Sequence, residues 1–373
     1  MKLLHISDLH LGKKLKGYSL LEDQKFIFNQ ILETTKEYNI DGIIIAGDIY
    51  DVSIPSTEAI NLFDKFITQL SNENISCYAV SGNHDNIYRV TFGSDIMAKG
   101  NIHFAKKYSG NITPIKADEN TYIWLLPFIR PMDVREFYPH FTNSSYEEMM
   151  QNVMKNLDVD ESKTNILVAH QFVTCNGKQP ERTESETVSL GTLDNIDISN
   201  FEKFDYVALG HLHKSQAMGK DTVRYGGSPL KYSFSEKDDN KSMVLLNIEN
   251  KTVNIEKIPY KPLRDMQEIE GYFEDLQKLP PSKDYIKIIL NDENYILDVK
   301  SKFETIFPNV MEISYNNIAS RENQDITLID ATEKYSPMEL FKTFYKQQQN
   351  QDLDEEQEKI VLDIFKELNM EVE

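Results

Sequence analysis

Residues 2–12, KLLHISDLHLG, decide how the chain is read. KLLHI is an apolar run of strand length, and Asp8 and His10 follow just past its end. The same arrangement recurs four times. GIIIAGDIYD (42–51) delivers Asp48, and SCYAVSGNHD (76–85) delivers Asn83, His84 and Asp85. NILVAHQ (165–171) ends on His170, and YVALGHLH (206–213) ends on His211 and His213. Between the early runs, residues 22–38 and 56–70 are amphipathic at helical spacing; in the second, Ala59, Ile60, Phe63, Phe66, Ile67 and Leu70 form the stripe. Strand, helix and strand in this rhythm predict an α/β chain with βαβ units around a buried sheet. The later runs, including VRYGGSPLKYSF, come without obvious helices and predict a second sheet packed on the first.

In such a sheet, residues just beyond the carboxyl ends of strands converge on one crevice. Five of the eight histidines occupy that kind of place. Asp8, His10, Asp48, Asn83, His170, His211 and His213 together form a chemically sensible set of ligands for two metal ions. Mixed nitrogen and oxygen donors without thiolate suit Mn²⁺, Fe or Zn²⁺. A shared carboxylate holds two ions about 3.5–4 Å apart, the separation used for displacement at phosphorus. Asp48 is the expected bridge, with Asp8, His10 and His213 at one ion and Asn83, His170 and His211 at the other. Taken singly, each motif has a plain structural alternative: Asp48 as a turn cap, Asn83 as a turn residue, His211 and His213 as neighbours on one strand face. Five in series at strand ends are hard to produce by accident. His5, His103 and His140 are read as structural.

Composition sets the outer limits. The 373 residues allow two to three domains. With 40% hydrophobic and 27% charged residues the chain is an ordinary globular one, not a disordered or collagenous one. No apolar run approaches a membrane span, and the N-terminal run, broken by His5 and Asp8, is too short for a signal peptide. Cys77 and Cys175 lie in no paired motif, which points to a reducing, cytoplasmic setting. The net charge of −20 argues globally against nucleic acid, although a bound metal pair or a partner subunit can supply positive charge locally.

The pattern changes near YKPLRD (260–265), where a boundary is expected. Beyond it, YIKIIL (285–290) and VMEISY (310–315) flank a helix carrying Ile296, Val299, Phe303 and Ile306, which suits a small β-α-β module. Two capping-box starts come after it, Ser336-Pro337-Met338-Glu339 and Asp354-Glu355-Glu356-Gln357. The second opens a stripe of Ile360, Val361, Ile364, Phe365 and Leu368.

DLHLG, GDIYD, GNHD, AHQF and GHLH, in this order, resemble the calcineurin-like metallophosphoesterase superfamily. GDIYDVSIPS, GNHDNIYRV and YGGSPLKYSFSE followed by a Lys resemble its SbcD-type nuclease branch, over essentially the whole chain. The resemblance implies a two-sheet αββα core at 1–262, a small α/β capping domain at 263–330, and C-terminal helices at 331–373 that bind an SbcC-type ATPase. It also implies Mn²⁺-dependent hydrolysis of DNA phosphodiesters: 3′→5′ exonuclease action on duplex ends, and endonuclease action on single strands and hairpins, in repair and recombination. The seven ligands match the family's metal positions. His84 matches its catalytic histidine, with Asp85 where a residue orients that ring. Some relatives carry His where this chain has Asp51; an anion there would repel phosphate, so Asp51 is expected to hold a neighbouring donor instead.

Lys13 and Arg89, beside DLHLG and GNHD, are the expected DNA contacts at the rim. The resemblance also implies a homodimer through helices expected at 56–70 and 86–97, and from it a heterotetramer with the ATPase. A phosphoesterase for small molecules or phosphoproteins would share the metal motifs without needing a cap or a partner-binding tail. A non-catalytic scaffold of this fold would not need the intact ligand set and His84.

Overall fold

The computed structural model describes residues 1–138, 145–186 and 195–316, and in the tail 338, 341–342, 345–346 and 351–367. Two compact units are present, Met1–Gln267 and Glu268–Glu373.

The first unit contains two six-stranded sheets. In chain order the strands of the first are β1 (Lys2–Ile6), β2 (Gly42–Ala46), β3 (Ser76–Val80), β4 (Ile102–Phe104), β11 (Ser242–Glu249) and β12 (Thr252–Pro259). Their spatial order is β12-β11-β1-β2-β3-β4. β1 to β4 run parallel, and β11 pairs antiparallel to β1. The second sheet comprises β5 (Ile115–Lys116), β6 (Thr121–Leu126), β7 (Thr164–His170), β8 (Tyr206–Gly210), β9 (Gln216–Met218) and β10 (Lys220–Tyr225), in the order β9-β10-β8-β7-β6-β5. Here β6, β7, β8 and β10 are parallel.

Side chains alternate between the faces of a strand, and this alternation builds two separate cores. Ile123 and Leu125 of β6 and Ile166 and Val168 of β7 turn towards the other sheet, meeting Leu3, Ile44, Tyr78, Val80 and Leu246. Trp124, Leu126 and Leu167 turn the other way and pack on Met149, Met150 and Val153 of α3 (Tyr146–Lys155). On the first sheet, α2 (Thr57–Asn72) packs on β3, and α1 (Leu21–Tyr38) packs on α2 through stacked Phe28 and Phe66 rings 4.2 Å apart. Ser56 caps α2 by accepting the Ala59 N–H. The layers are therefore helix, sheet, sheet, helix.

Two expectations are corrected. VRYGGSPLKYSF is a strand only to Tyr225, because Gly227 adopts φ +82° and Pro229 lacks a ladder donor. Asn86–Met97 is not one helix but two single turns, Ile87–Val90 and Ser94–Met97. The Thr91 hydroxyl, donating to the Ile87 carbonyl at 2.7 Å, stands at the break.

β13 (Met266–Gly271), which starts at the end of the first unit and continues into the second, forms one sheet with β14 (Tyr285–Leu290) and β15 (Val310–Tyr315) in that order, with β14 and β15 parallel. The crossover carries α4 (Val299–Glu304), whose Val299 and Phe303 bury against Ile286, Ile288 and Leu290. At the start of α5 (Glu355–Glu367), Asp354 and Gln357 each accept the other's backbone N–H, a reciprocal cap. The start expected at Ser336, Pro337 and Glu339, the end of the stripe at Leu368, and His140 lie outside the described residues.

Candidate dimetal site

The carboxyl ends of β1, β2, β3, β7 and β8, three strands of one sheet and two of the other, bring all seven expected ligands together. Asp8, His10, Asp48, His170 and His213 are each at most 3% exposed. Asp8 (φ +53°), His10 (+44°), Asp48 (+49°) and His211 (+105°) all lie in left-handed backbone, an uncommon region for such residues and one that clusters at functional sites. Gly210 explains part of the tightness. A Cβ there would lie 1.8 Å from the Ala46 carbonyl oxygen, so only glycine lets the end of β8 cross the end of β2.

The donors form two groups joined at Asp48. His10 Nε2 lies 3.2 Å from His213 Nε2 and 3.6 Å from Asp48 Oδ2. His170 Nε2 lies 3.3 Å from Asp48 Oδ2 and 3.0 Å from Asn83 Oδ1, and His211 Nδ1 lies 3.0 Å from the same amide oxygen. Asp8 Oδ1 accepts the His211 backbone N–H at 2.9 Å, while its buried Oδ2 has no hydrogen-bond partner among the described residues. Facing imidazole nitrogens and a buried, unpartnered carboxylate oxygen are costly in an apolar interior unless a cation satisfies them. Asp8, His10, Asp48 and His170 thus fit a divalent metal centre.

The electrostatics follow from burial. Desolvation pushes His211 down to about 3 and His213 to about 4, so both rings are neutral and able to ligate. Burial, reinforced by Asp48, raises Asp8. Burial works against the charge on Asp48, but His170 and His10 outweigh it and hold that carboxyl well below its ordinary range.

Outer contacts fix the rings. His170 Nδ1 donates to the Ala46 carbonyl at 2.8 Å, which turns Nε2 towards the centre. His84 Nδ1 donates to the Asp51 carbonyl at 2.8 Å, and the His84 backbone N–H donates to Asp48 Oδ1 at 2.9 Å. Asp85 therefore does not orient the His84 ring. Its carboxylate accepts three backbone N–H groups, those of Ile49, Tyr50 and Gly82, at 2.9–3.0 Å, and it locks the Asp48 loop to the Asn83 loop. Burial, and secondarily Asp48, raises Asp85 to about 6. The Asp51 side chain accepts Lys13 Nζ at 2.8 Å and lies 3.4 Å from His10 Nδ1, holding a neighbouring donor. Lys13 also lies over the Tyr232 ring, 5.3 Å from its centroid, so it is tied to the site's edge. Arg89 is exposed on the turn Ile87–Val90.

Sequence reasoning passed over Ser185, Glu186, Glu236 and Lys241. Glu236 is fully buried and pairs with Lys241 at 2.6 Å; its signal was the acid closing YGGSPLKYSFSE. Ser185 and Glu186 lie in a stretch with no apolar periodicity to mark it. His5 is a buried interior residue 3.0 Å from the Tyr206 hydroxyl, and His103 stacks on Tyr78.

A family model described as calcineurin-like phosphoesterase matches residues 1–215, and one described as type 5 capsule protein repressor C-terminal domain matches 262–349. The chain is 32% identical over 365 residues, 96% of either protein, to the SbcD subunit of nuclease SbcCD from Staphylococcus epidermidis. It belongs to the SbcD-type nucleases of the calcineurin-like phosphoesterase family. The like-named protein of Staphylococcus saprophyticus is also 32% identical, over 88% of this chain and 90% of its own. Among solved structures, a dimetal phosphatase from Danio rerio aligns with 70% of this chain and 99% of its own at a TM-score of 0.41 and 10% identity. Membership makes the chain a metal-dependent phosphodiester hydrolase. No helix among the described residues is long and apolar enough to cross a membrane.

Proposed function

We propose that this chain is the nuclease subunit of an SbcCD-type complex, hydrolysing DNA phosphodiesters at a centre of two Mn²⁺ ions. The observation that carries this reading is the convergence of six N and O ligand residues on Asp48, the seventh, from five strand ends. Asp8, His10 and His213 would hold one ion, Asn83, His170 and His211 the other, and Asp48 both. When bound, two such ions lower the pKa of a water and polarise phosphate oxygens.

The protein's own part falls chiefly to His84. With Nδ1–H committed to the Asp51 carbonyl, its Nε2 remains to carry a second proton. Transfer of that proton to the leaving 3′-oxygen returns a neutral ring in the same tautomer. Asp85 sets the two loops that present Asp48 and His84. Lys13 and Arg89 would meet the DNA backbone, and with −20 net charge the isolated subunit should bind DNA weakly and in a salt-sensitive way.

The relatives' name supports an SbcC-type ATPase as partner. We assign residues 1–262 to the nuclease domain, 263–330 to a cap that selects DNA, and 331–373 to ATPase binding. Exposed Ile360 and Ile364 on α5 supply apolar surface for that contact. Homodimerisation through the 56–70 and 86–97 region would make a heterotetramer acting in the cytoplasm, at the nucleoid when on DNA. Exposed Tyr88, Phe92 and Ile96 suit the dimer contact.

Cleavage of a hairpin-ended duplex in Mn²⁺, beside an Asp48→Ala control and a generic phosphodiester, tests the reading. Loss of DNA cleavage in the variant is expected. Turnover of the generic diester alone, with and without the ATPase and ATP, would favour a small-molecule phosphoesterase.

A further inference from the structure

His213 is held differently from the other candidate ligands. Its backbone N–H donates to Glu186 Oε1 at 2.7 Å, and its carbonyl accepts Lys241 Nζ at 2.9 Å. Its ring Nδ1 lies 2.6 Å from Ser185 Oγ, and that hydroxyl donates to Glu236 Oε1 at 2.5 Å. Glu236 is itself fixed by the Tyr232 N–H at 3.2 Å, the Ser233 hydroxyl at 3.0 Å and Lys241 at 2.6 Å. Histidine and glutamate are 4.0 Å apart at nearest approach, so the serine hydroxyl links them.

The donor count fixes the direction of the chain. Glu236 accepts from Ser185, so the serine proton points at the carboxylate and its lone pair faces His213. Nδ1 must then carry the imidazole hydrogen, and Nε2, 3.2 Å from His10 Nε2, is left as a lone pair facing the centre. His170 achieves the same polarity with the Ala46 carbonyl, a neutral main-chain acceptor. For His213 the acceptor ends on a buried carboxylate, which makes the ring a stronger donor.

We propose that Ser185 and Glu236 are positioning residues that fix the His213 tautomer and strengthen its bond to the ion shared with Asp8 and His10. The inference rests on the dimetal reading. It places a determinant of the affinity at one ion in the segment carrying Ser185, outside the strand-end motifs.

The test is equilibrium Mn²⁺ binding to the purified full chain, followed by the loss of the free-ion electron paramagnetic resonance signal. Ser185→Ala should weaken one of two ions about 10–100-fold and leave the other unchanged. Ser185→Thr, which keeps the hydroxyl, should restore it, and Glu236→Gln should weaken the same ion. Trp124 fluorescence, from a residue buried in the second sheet, reports whether each variant is folded. Unchanged affinity for both ions in folded Ser185→Ala, with binding lost in Asp48→Ala, overturns the relay alone. Wild-type binding in Asp48→Ala overturns the dimetal reading and the relay with it.

Discussion

Replacing Asp85 separates two accounts of what it does. If it only steered the His84 ring, Asp85→Ala would cost activity and little stability. The structure instead gives its carboxylate three backbone donors, Ile49, Tyr50 and Gly82, all on buried residues. A hydrogen bond to a charged group is worth about 1.5–3 kcal/mol net. Asp85 is itself half-buried, so water replaces part of the loss in the variant. The expected destabilisation of the first unit is therefore about 3–5 kcal/mol. Asp85→Asn keeps one acceptor oxygen but turns an NH₂ towards backbone donors, and should fall between wild type and Ala. Urea unfolding of metal-free protein, followed by Trp124 fluorescence, reads this unit without requiring the whole chain to unfold in one step. A loss below about 1 kcal/mol in Asp85→Ala would refute the locking role.

His84→Ala should abolish DNA cleavage yet leave Mn²⁺ occupancy near wild type, because the ring is anchored on the Asp51 carbonyl and not among the seven donors; normal cleavage by the variant would remove His84 from the mechanism. Gly210→Ala would place a methyl 1.8 Å from the Ala46 carbonyl oxygen, displacing His211 and the anchor of His170; metal binding should fall with stability, and a variant binding Mn²⁺ normally would contradict the close crossing. Metal-free protein should lose stability as the pH falls from about 6.5 towards 4. His5, His211 and His213 sit at about 3, 3 and 4 in the folded state, chiefly from burial, and His10 is lowered in the same sense. In this window the unfolded chain therefore binds more protons at these four, and stability rises with pH. Asp8, Asp85 and Glu186, raised by burial, oppose the trend. So does His170 near the top of the window, where Asp48 holds its ring up to about 9 against burial. They are outnumbered once His103, also lowered by burial, is counted. A urea midpoint that is flat or higher at the acid end would contradict the sign.

Much of this site is legible in the sequence because parallel strands obey a simple rule: the run that fills the core stops, and the next few residues lie at the crevice. GIIIAGD and YVALGHLH announce strand, turn and ligand within eight residues. The groups that hold the ligands obey no such rule. Asp85 reads as a partner for its neighbour His84, but backbone direction turns its carboxylate to the amides of another loop. The anchor of His84 is a main-chain carbonyl, which no side-chain pattern encodes. Ser185 reaches His213 across 28 residues and Glu236 across 51, contacts made only by the folded chain. The broken helix after GNHD likewise turned on Thr91, whose hydroxyl competes locally with the ladder despite a helix-like apolar pattern.

The central claim, two ions held by seven residues with Asp48 shared between them, is tested most directly by anomalous diffraction from a crystal of the full chain grown in Mn²⁺. The account predicts two peaks about 3.5–4 Å apart, either side of the Asp48 carboxylate. Asp8, His10 and His213 should surround one, and Asn83, His170 and His211 the other. A single peak, or peaks bound away from Asp48, would contradict it.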